Sequence, residues 1–331
     1  MPDKPLNIFY AEPDPDRWIR FDRYPRRFIR RVVRGKQRPG GVMTVALNLM
    51  RGLDKMNVPY RFNDYRYLKK HPEEIACIIG KPHLLFERQW NNPVILGAGI
   101  YSHPIDRPNL FTEFPNVKRF LVPGEWMREM CAPYYGDKVL AWPTGIDTDI
   151  WTTIPGEKTT DFLIYDKVRW ERERLEQELI EPLKQTLSNK GLITEYIKYG
   201  NYTHDELRDK LSRAKAVLFL CEHETQGLAY QQILATNTPI LAWDRGGYWQ
   251  DPEYYPERVK YQPVSSVPYW DERCGERFTD MNDFEASLNT FLQNIDRFSP
   301  RNYVLENLTL EICAKKYLQI AEDVYKELNA R

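Results

Sequence analysis

Short apolar runs alternate with helix-length amphipathic stretches along nearly the whole chain, and this alternation constrains the fold more than any other feature. Leu6–Tyr10 (LNIFY), Ile75–Ile79, Val94–Ile100 and Arg119–Val122 read as buried strands, each ending near Gly, Pro or His. The second half repeats the rhythm with Asp161–Tyr165 (DFLIY), Ile193–Tyr199, Ala216–Leu220 (AVLFL) and Pro239–Trp243 (PILAW). Helical patterns fall between them over Val42–Met56, Trp170–Asn189, His204–Ala214 with Thr203 as cap, and Gly227–Thr236. Phe284–Arg297 and Ser299–Leu328 close the chain as helices, while Asp244–Arg277, rich in Tyr, Trp and Pro, reads as a structured loop. Strands that alternate with helices need crossover connections, which build a parallel sheet with helices on both faces.

At 331 residues the chain is long enough for two such α/β domains. The turn-rich segment Gly145–Pro155 marks the boundary. We therefore expect a first domain over residues 1–148, a second over 149–298, and a terminal helix over 299–331 that crosses back to the first domain. Lys+Arg and Asp+Glu both total 47, and a formal net charge of zero argues against a general nucleic-acid binder. The five cysteines are scattered without metal-ligand spacing, as expected of reduced thiols. No basic n-region with a long apolar stretch opens the sequence, and no apolar run approaches the ~20 residues of a membrane span. A cytoplasmic location is the expectation, so the sequons at Asn201 and Asn307 carry no weight.

The densest chemical signal is Ala216–Gly247: a strand, a polar loop with Glu222 and Glu224, a helix opening at Gly227, a further strand and a Gly-Gly turn. A helix start presents unpaired backbone N–H groups and partial positive charge, a ready site for phosphate, and a glycine there lets an anion approach closely. Glu224 stands where a carboxylate can accept from sugar hydroxyls. On the residues alone, a phosphate site and a plain strand–helix junction stay equally open.

This segment resembles the C-terminal half of family 4 (group 1) glycosyltransferases of the GT-B fold. Glu224, Gly227, Leu228, Ala235 and Pro239 match that family's pattern in register, with Gln232 where a second glutamate usually holds the ribose. Val122–Trp151 is similar to the family's hinge, through Pro143, Gly145, Ile146, Asp147 and Trp151, and Tyr199–Leu220 to the strand and helix before the glutamate loop. Gly40-Gly41 before the Val42–Met56 helix resembles the glycine loop that touches the donor diphosphate. The resemblance implies two Rossmann-like domains facing across a cleft, and retaining transfer of a sugar from a nucleotide-sugar donor to a glycan or lipid-linked acceptor. It implies no metal and no cofactor: an Arg and a Lys five residues apart neutralise the leaving diphosphate instead. Lys167 and Arg172 keep that spacing with the two types exchanged, and Arg169 competes with them. His103, in GIYSHP after the Val94–Ile100 strand, stands where many family members place a histidine near the transferred sugar. Glu222 either lines the ligand side or caps its loop.

One stretch lies outside the family pattern. From Arg26 to Arg34, Phe28, Ile29, Val32 and Val33 share one helical face and five arginines the other. Such a helix either packs its apolar stripe on the domain or lies at an anionic membrane surface. Two rivals to a transferase remain. Gln232 favours a GT-B scaffold that binds a nucleotide or glycan without transferring it, and a nucleotide-sugar epimerase on the same fold ranks behind it.

Overall fold

The computed structural model describes residues 5–12, 22, 25, 40–80, 82–98 and 103–330. The Arg26–Arg34 stretch lies outside the described residues. The chain divides into two compact units, one of Met1–Pro123, Cys131–Gly145 and Cys313–Arg331, the other of Gly124–Met130 and Ile146–Ile312.

The first unit runs β1 (Leu6–Phe9), α1 (Gly41–Lys55), β2 (Tyr60–Phe62), α2 (Tyr65–Lys70), β3 (Ala76–Ile78), α3 (His83–Phe86), β4 (Val94–Gly97), α4 (Leu110–Glu113) and β5 (Val117–Val122). Helix α5 (Glu125–Tyr135) gives its opening residues to the second unit and its end to the first, before β6 (Val139–Ala141). The second unit continues with β7 (Thr160–Asp166), α6 (Arg172–Leu175), a π-helical turn over Glu176–Ile180, α7 (Glu181–Asn189), β8 (Thr194–Lys198), α8 (His204–Arg213) and β9 (Ala214–Leu220). Then come α9 (Leu228–Ala235), β10 (Ile240–Trp243), β11 (Gly275–Phe278), α10 (Met281–Asn294), α11 (Pro300–Asn307) and the terminal α12 (Leu310–Asn329). The strands form a six-stranded sheet ordered β2-β1-β3-β4-β5-β6 and a five-stranded sheet ordered β11-β10-β9-β7-β8, and the pairings are parallel throughout.

Each sheet buries its own core. In the first, Leu6 and Ile8 of β1 pack with Val45, Leu49 and Leu53 of α1 and with Tyr317, Leu318 and Ala321 of α12. The Trp142 indole N–H donates to the Cys313 carbonyl at 2.9 Å, fixing the point where α12 enters this unit. In the second, Phe162, Ile164, Leu218 and Leu241 of the sheet meet Leu183 and Leu187 of α7 and Phe284, Leu288 and Phe291 of α10. Among the described residues no helix is long and apolar enough to cross a membrane.

Three strands absent from the sequence reading, β2, β6 and β11, all lie at sheet edges. An edge strand is paired on one side only and need not be a long apolar run, so YRF, VLA and GERF gave no signal. The expected helix over Ser299–Leu328 is two helices. Leu308 leaves the helical conformation between them, with φ −132° and ψ 17°, where its carbonyl accepts from Ile146 N at 2.8 Å and Thr309 bridges to Ile146. Residues 299–312 accordingly stay with the second unit, and only the chain from Cys313 joins the first.

Arg301, near the start of α11, ties this junction together. Its guanidinium donates to the carbonyls of Thr148 (3.1 Å), Trp151 (2.9 Å) and Ala235 (2.5 Å), joining the segment after Gly145 to the end of α9. Replacing it leaves three carbonyls short of a charged donor. We expect Arg301→Ala to destabilise the second unit by about 2–4 kcal/mol in urea unfolding, with Arg301→Lys recovering less than half of the loss.

Candidate functional site

Both sheets reverse their strand order beside their first strand. β1 lies between β2 and β3, and β7 between β8 and β9. In open parallel sheets, ligands bind outside the carboxyl ends of the strands that flank such a reversal. In the second unit those strands end at Asp166 and Leu220. The loops that leave them carry Lys167, Arg169, Glu222, Glu224 and Gly227, so the strand order brings these residues together. Arg172 opens α6, while Leu228 and Gln232 lie on α9.

Two carboxylates join the loops. Glu222 is buried, and its Oε1 accepts from the backbone N–H groups of Arg169 (2.7 Å) and Trp170 (2.8 Å). Its Oε2 has no hydrogen-bond partner among the described residues and lies 4.0 Å from Arg169 Nε. Glu224 accepts from the Lys167 ammonium, and their side chains are only 7% and 11% exposed. Burial disfavours the charge on Lys167, but Glu224 outweighs it and holds the ammonium above its ordinary pKa. The ammonium also lies 4.4 Å above the Tyr199 ring. The backbone of Glu224 is held as firmly: its N–H donates to Ser265 O (2.9 Å), and its carbonyl accepts from the Trp126 indole (2.9 Å).

Arg172 is placed differently from Lys167. Its Nη1 donates to both oxygens of the buried Asp166, at 2.8 and 2.6 Å, and its Nη2 to Glu176. Tyr196 donates to the same Asp166 carboxylate. Arg169 is more open. Its guanidinium stacks 4.4 Å from the Trp170 ring and its side chain is 37% exposed.

Gly227 opens α9 with φ 61° and ψ 41° and no side-chain cap. A Cβ at this position would lie 2.0 Å from the Tyr230 ring, so the fold requires glycine here whatever binds. The first turn of α9 leaves backbone N–H groups without intrahelical partners, with Leu228 at its head. Gln232 is half-buried one turn on, beside the fully buried Gln231, which donates to Gln226 O.

The first unit holds the remaining candidates. Gly40 and Gly41 are exposed at the start of α1, and a Cβ at either would meet no atom of the described residues within 4 Å. His103, six residues beyond β4, is 2% exposed. Its Nδ1 accepts from Ile105 N at 3.0 Å and its ring meets Tyr134 edge-on at 5.2 Å. That geometry caps the 3₁₀ turn Pro104–Asp106.

Four residues of the second unit escaped the sequence reading: Asp166, Trp126, Arg245 and His223. Arg245 follows β10, donates to Tyr248 O at 2.6 Å, and leaves its Nε unpartnered among the described residues. His223 is 4% exposed between Trp126 (5.7 Å) and Trp170 (4.8 Å), and neither ring nitrogen has a hydrogen-bond partner among the described residues. Burial, then Arg169, Arg245 and Lys167, push its pKa from 6.5 down to about 3. The imidazole thus stays neutral in the fold at a pH that protonates it in the unfolded chain. Stability present above pH 6.5 is lost as pH falls from 6.5 towards about 3. Between pH of about 7.5 and about 5.5, the wild type should lose about 1.4 kcal/mol more than His223→Gln, read from urea midpoints.

No protein-family model matches the chain, and no curated protein does. Solved structures do. TarM is 12% identical, with a TM-score of 0.47 over 84% of this chain and 58% of its own, so the chain spans less than two thirds of TarM. WaaG, a glycosyltransferase involved in lipopolysaccharide biosynthesis, is 10% identical, with a TM-score of 0.47 over 86% of this chain and 97% of its own. The apo form of WaaB, a lipopolysaccharide outer core galactosyltransferase, is 11% identical with a TM-score of 0.51, covering 94% of this chain and 97% of its own. At such identities the likeness is one of fold. With its two parallel sheets flanked by helices, the chain has the α/β GT-B fold of two Rossmann-like domains.

Proposed function

We propose that the chain is a retaining, metal-independent glycosyltransferase that moves a sugar from a nucleotide-sugar donor to a glycan or lipid-linked acceptor. The observation that supports this most is the convergence of the Lys167 and Glu224 loops at the strand-order reversal, beside a helix that opens at a left-handed glycine. The donor diphosphate lies against Lys167, Arg169 and the first backbone N–H groups of α9, and Glu224 holds hydroxyls of the sugar. Gln232 meets the ribose through uncharged hydrogen bonds. The Lys167–Glu224 pair does not preclude this, since an ammonium has three donors and a carboxylate about four acceptor positions.

In the reaction the acceptor oxygen bonds to the anomeric carbon on the face from which the diphosphate leaves. The bond from that carbon to the diphosphate oxygen breaks, and the acceptor proton passes to a departing phosphate oxygen. No carboxylate base is needed. Positioning and stabilisation of the negative charge on the leaving group carry the rate. Arg169 is a better candidate than Arg172 for that charge, because Arg172 is committed to Asp166.

A non-catalytic nucleotide- or glycan-binding protein is the second reading, favoured by Gln232. The two are separated by the release of nucleoside diphosphate from UDP-, GDP-, ADP- and dTDP-sugars, with EDTA throughout. Turnover of one donor, lost in Glu224→Ala, is expected. Tight binding without turnover in the presence of acceptors supports the second reading, and failure to bind any donor removes the donor site and the transferase with it. A further expectation separates the arginines. Arg169→Ala should lower the urea midpoint less than Arg172→Ala does and weaken donor binding by about tenfold, about 1.4 kcal/mol. Arg172→Ala should destabilise the fold by about 3–5 kcal/mol by stranding the buried Asp166 carboxylate.

A further inference from the structure

A pocket of about 330 Å³ opens in the first unit between α2 and the segment leading into β4, and it shares no residue with the loops described above. Its size falls at the small end of the range of ligand pockets, roughly 300–1,000 Å³. One wall is aromatic. Tyr65 and Trp90 lie 6.0 Å apart, and Phe9 backs both rings at 4.8 and 5.1 Å. The Trp90 indole N–H donates to Leu84 O at 2.9 Å, which fixes the ring and leaves it to serve as an apolar platform.

Apart from Leu68, the rest of the described lining is polar, and its charged residues are of one sign. The Arg88 guanidinium stacks on Tyr65 at 3.9 Å, and Lys69, Gln89 and Asn91 are exposed beside it. Among the described residues no aspartate or glutamate lines the pocket, and neither cation has a carboxylate partner. In a chain of zero net charge, two cations and, among the described residues, no anion meet at one concave aromatic site. Each part of the lining selects a chemical feature. A fixed aromatic face suits the apolar face of a pyranose, and planar amides both donate to and accept from neighbouring hydroxyls. A guanidinium fits a carboxylate through two parallel hydrogen bonds.

We propose that this pocket binds an acidic saccharide, a glycan bearing a uronate carboxylate. The sugar ring stacks on Trp90, the carboxylate meets Arg88 and Lys69, and the hydroxyls reach Gln89 and Asn91. The assignment rests on the pocket alone and holds whether or not the second unit transfers sugar.

Calorimetric titration of the full chain at low ionic strength with trigalacturonate, and with maltotriose as its neutral counterpart, tests the proposal. We expect saturable trigalacturonate binding that weakens with added salt, and maltotriose binding weaker by about tenfold or more, about 1.4 kcal/mol. Arg88→Gln should weaken trigalacturonate by about tenfold. Trp90→Ala should abolish binding, but it also removes packing on Phe9, so the exposed Arg88→Gln is the decisive variant. Equal binding of the two saccharides, unchanged affinity in Arg88→Gln, or no saturable binding of trigalacturonate overturns the proposal. Uridine monophosphate that binds more tightly than trigalacturonate, and loses affinity in Arg88→Gln, also overturns it and makes this a nucleotide pocket.

Discussion

A nearly buried lysine–glutamate pair holds the candidate site in shape. Lys167 leaves β7 and Glu224 follows β9, and each charge would be costly at its depth without the other. Removing one partner of such a pair strands the other, at about 3–5 kcal/mol, which makes the mutual position of the two loops strongly determined. Glu222 adds a neutral-to-charged link of the same kind through the Arg169 and Trp170 N–H groups. Two adjoining strand ends thus become one electrostatic unit before any ligand arrives. Preorganised charges of this sort are the form in which a protein stabilises a developing anion, since they need no reorganisation during the reaction.

Packing behind the loops makes the arrangement rigid. Tyr230 fills the space that a Cβ on Gly227 would occupy, and its hydroxyl accepts from Tyr269 N at 2.9 Å. Asp244 accepts from Ser266 N at 2.8 Å and from Ser265 Oγ at 3.2 Å, and Ser265 in turn receives the Glu224 N–H. The long aromatic segment after β10 is therefore a brace for the Glu224 loop. Its single strand, β11, lies at its end. Glycine at 227 serves this packing first, and whatever an anion gains from the open helix start comes in addition.

Much of this was legible in the sequence because the signal was local. Central strands of a parallel sheet are buried on both faces, so AVLFL and PILAW announce themselves as apolar runs. The Glu224–Gly227–Leu228 pattern and the Thr203 cap are likewise short-range, and Thr203 Oγ1 does accept from Glu206 N at 3.1 Å. What stayed hidden depends on partners distant in the chain. Trp126 sits on a helix that gives no hint of the Glu224 carbonyl 98 residues away. His223 reads as one more polar loop residue until Trp126 and Trp170 close on it. The break between α11 and α12 was invisible because Ile146, and not a local helix breaker, pulls Leu308 out of the helix.

The two cations that share the family's spacing have different partners in the fold. Asp166 is the last residue of β7 and Lys167 the first of the loop beyond it, and the two side chains find different partners. Lys167 turns to β9 and finds Glu224, whereas Asp166 turns to β8 and finds Tyr196. A carboxylate with no exposed side-chain surface needs a cation, and the residue that returns from the first turn of α6 to supply it is Arg172. Across the five-residue spacing, Lys167 and Arg172 thus belong to two separate ion pairs. Arg169 lies in the same loop as Lys167, and its N–H is held by Glu222 while its guanidinium remains more open than either neighbour. Of the three cations, it is the one whose charge the fold has least committed.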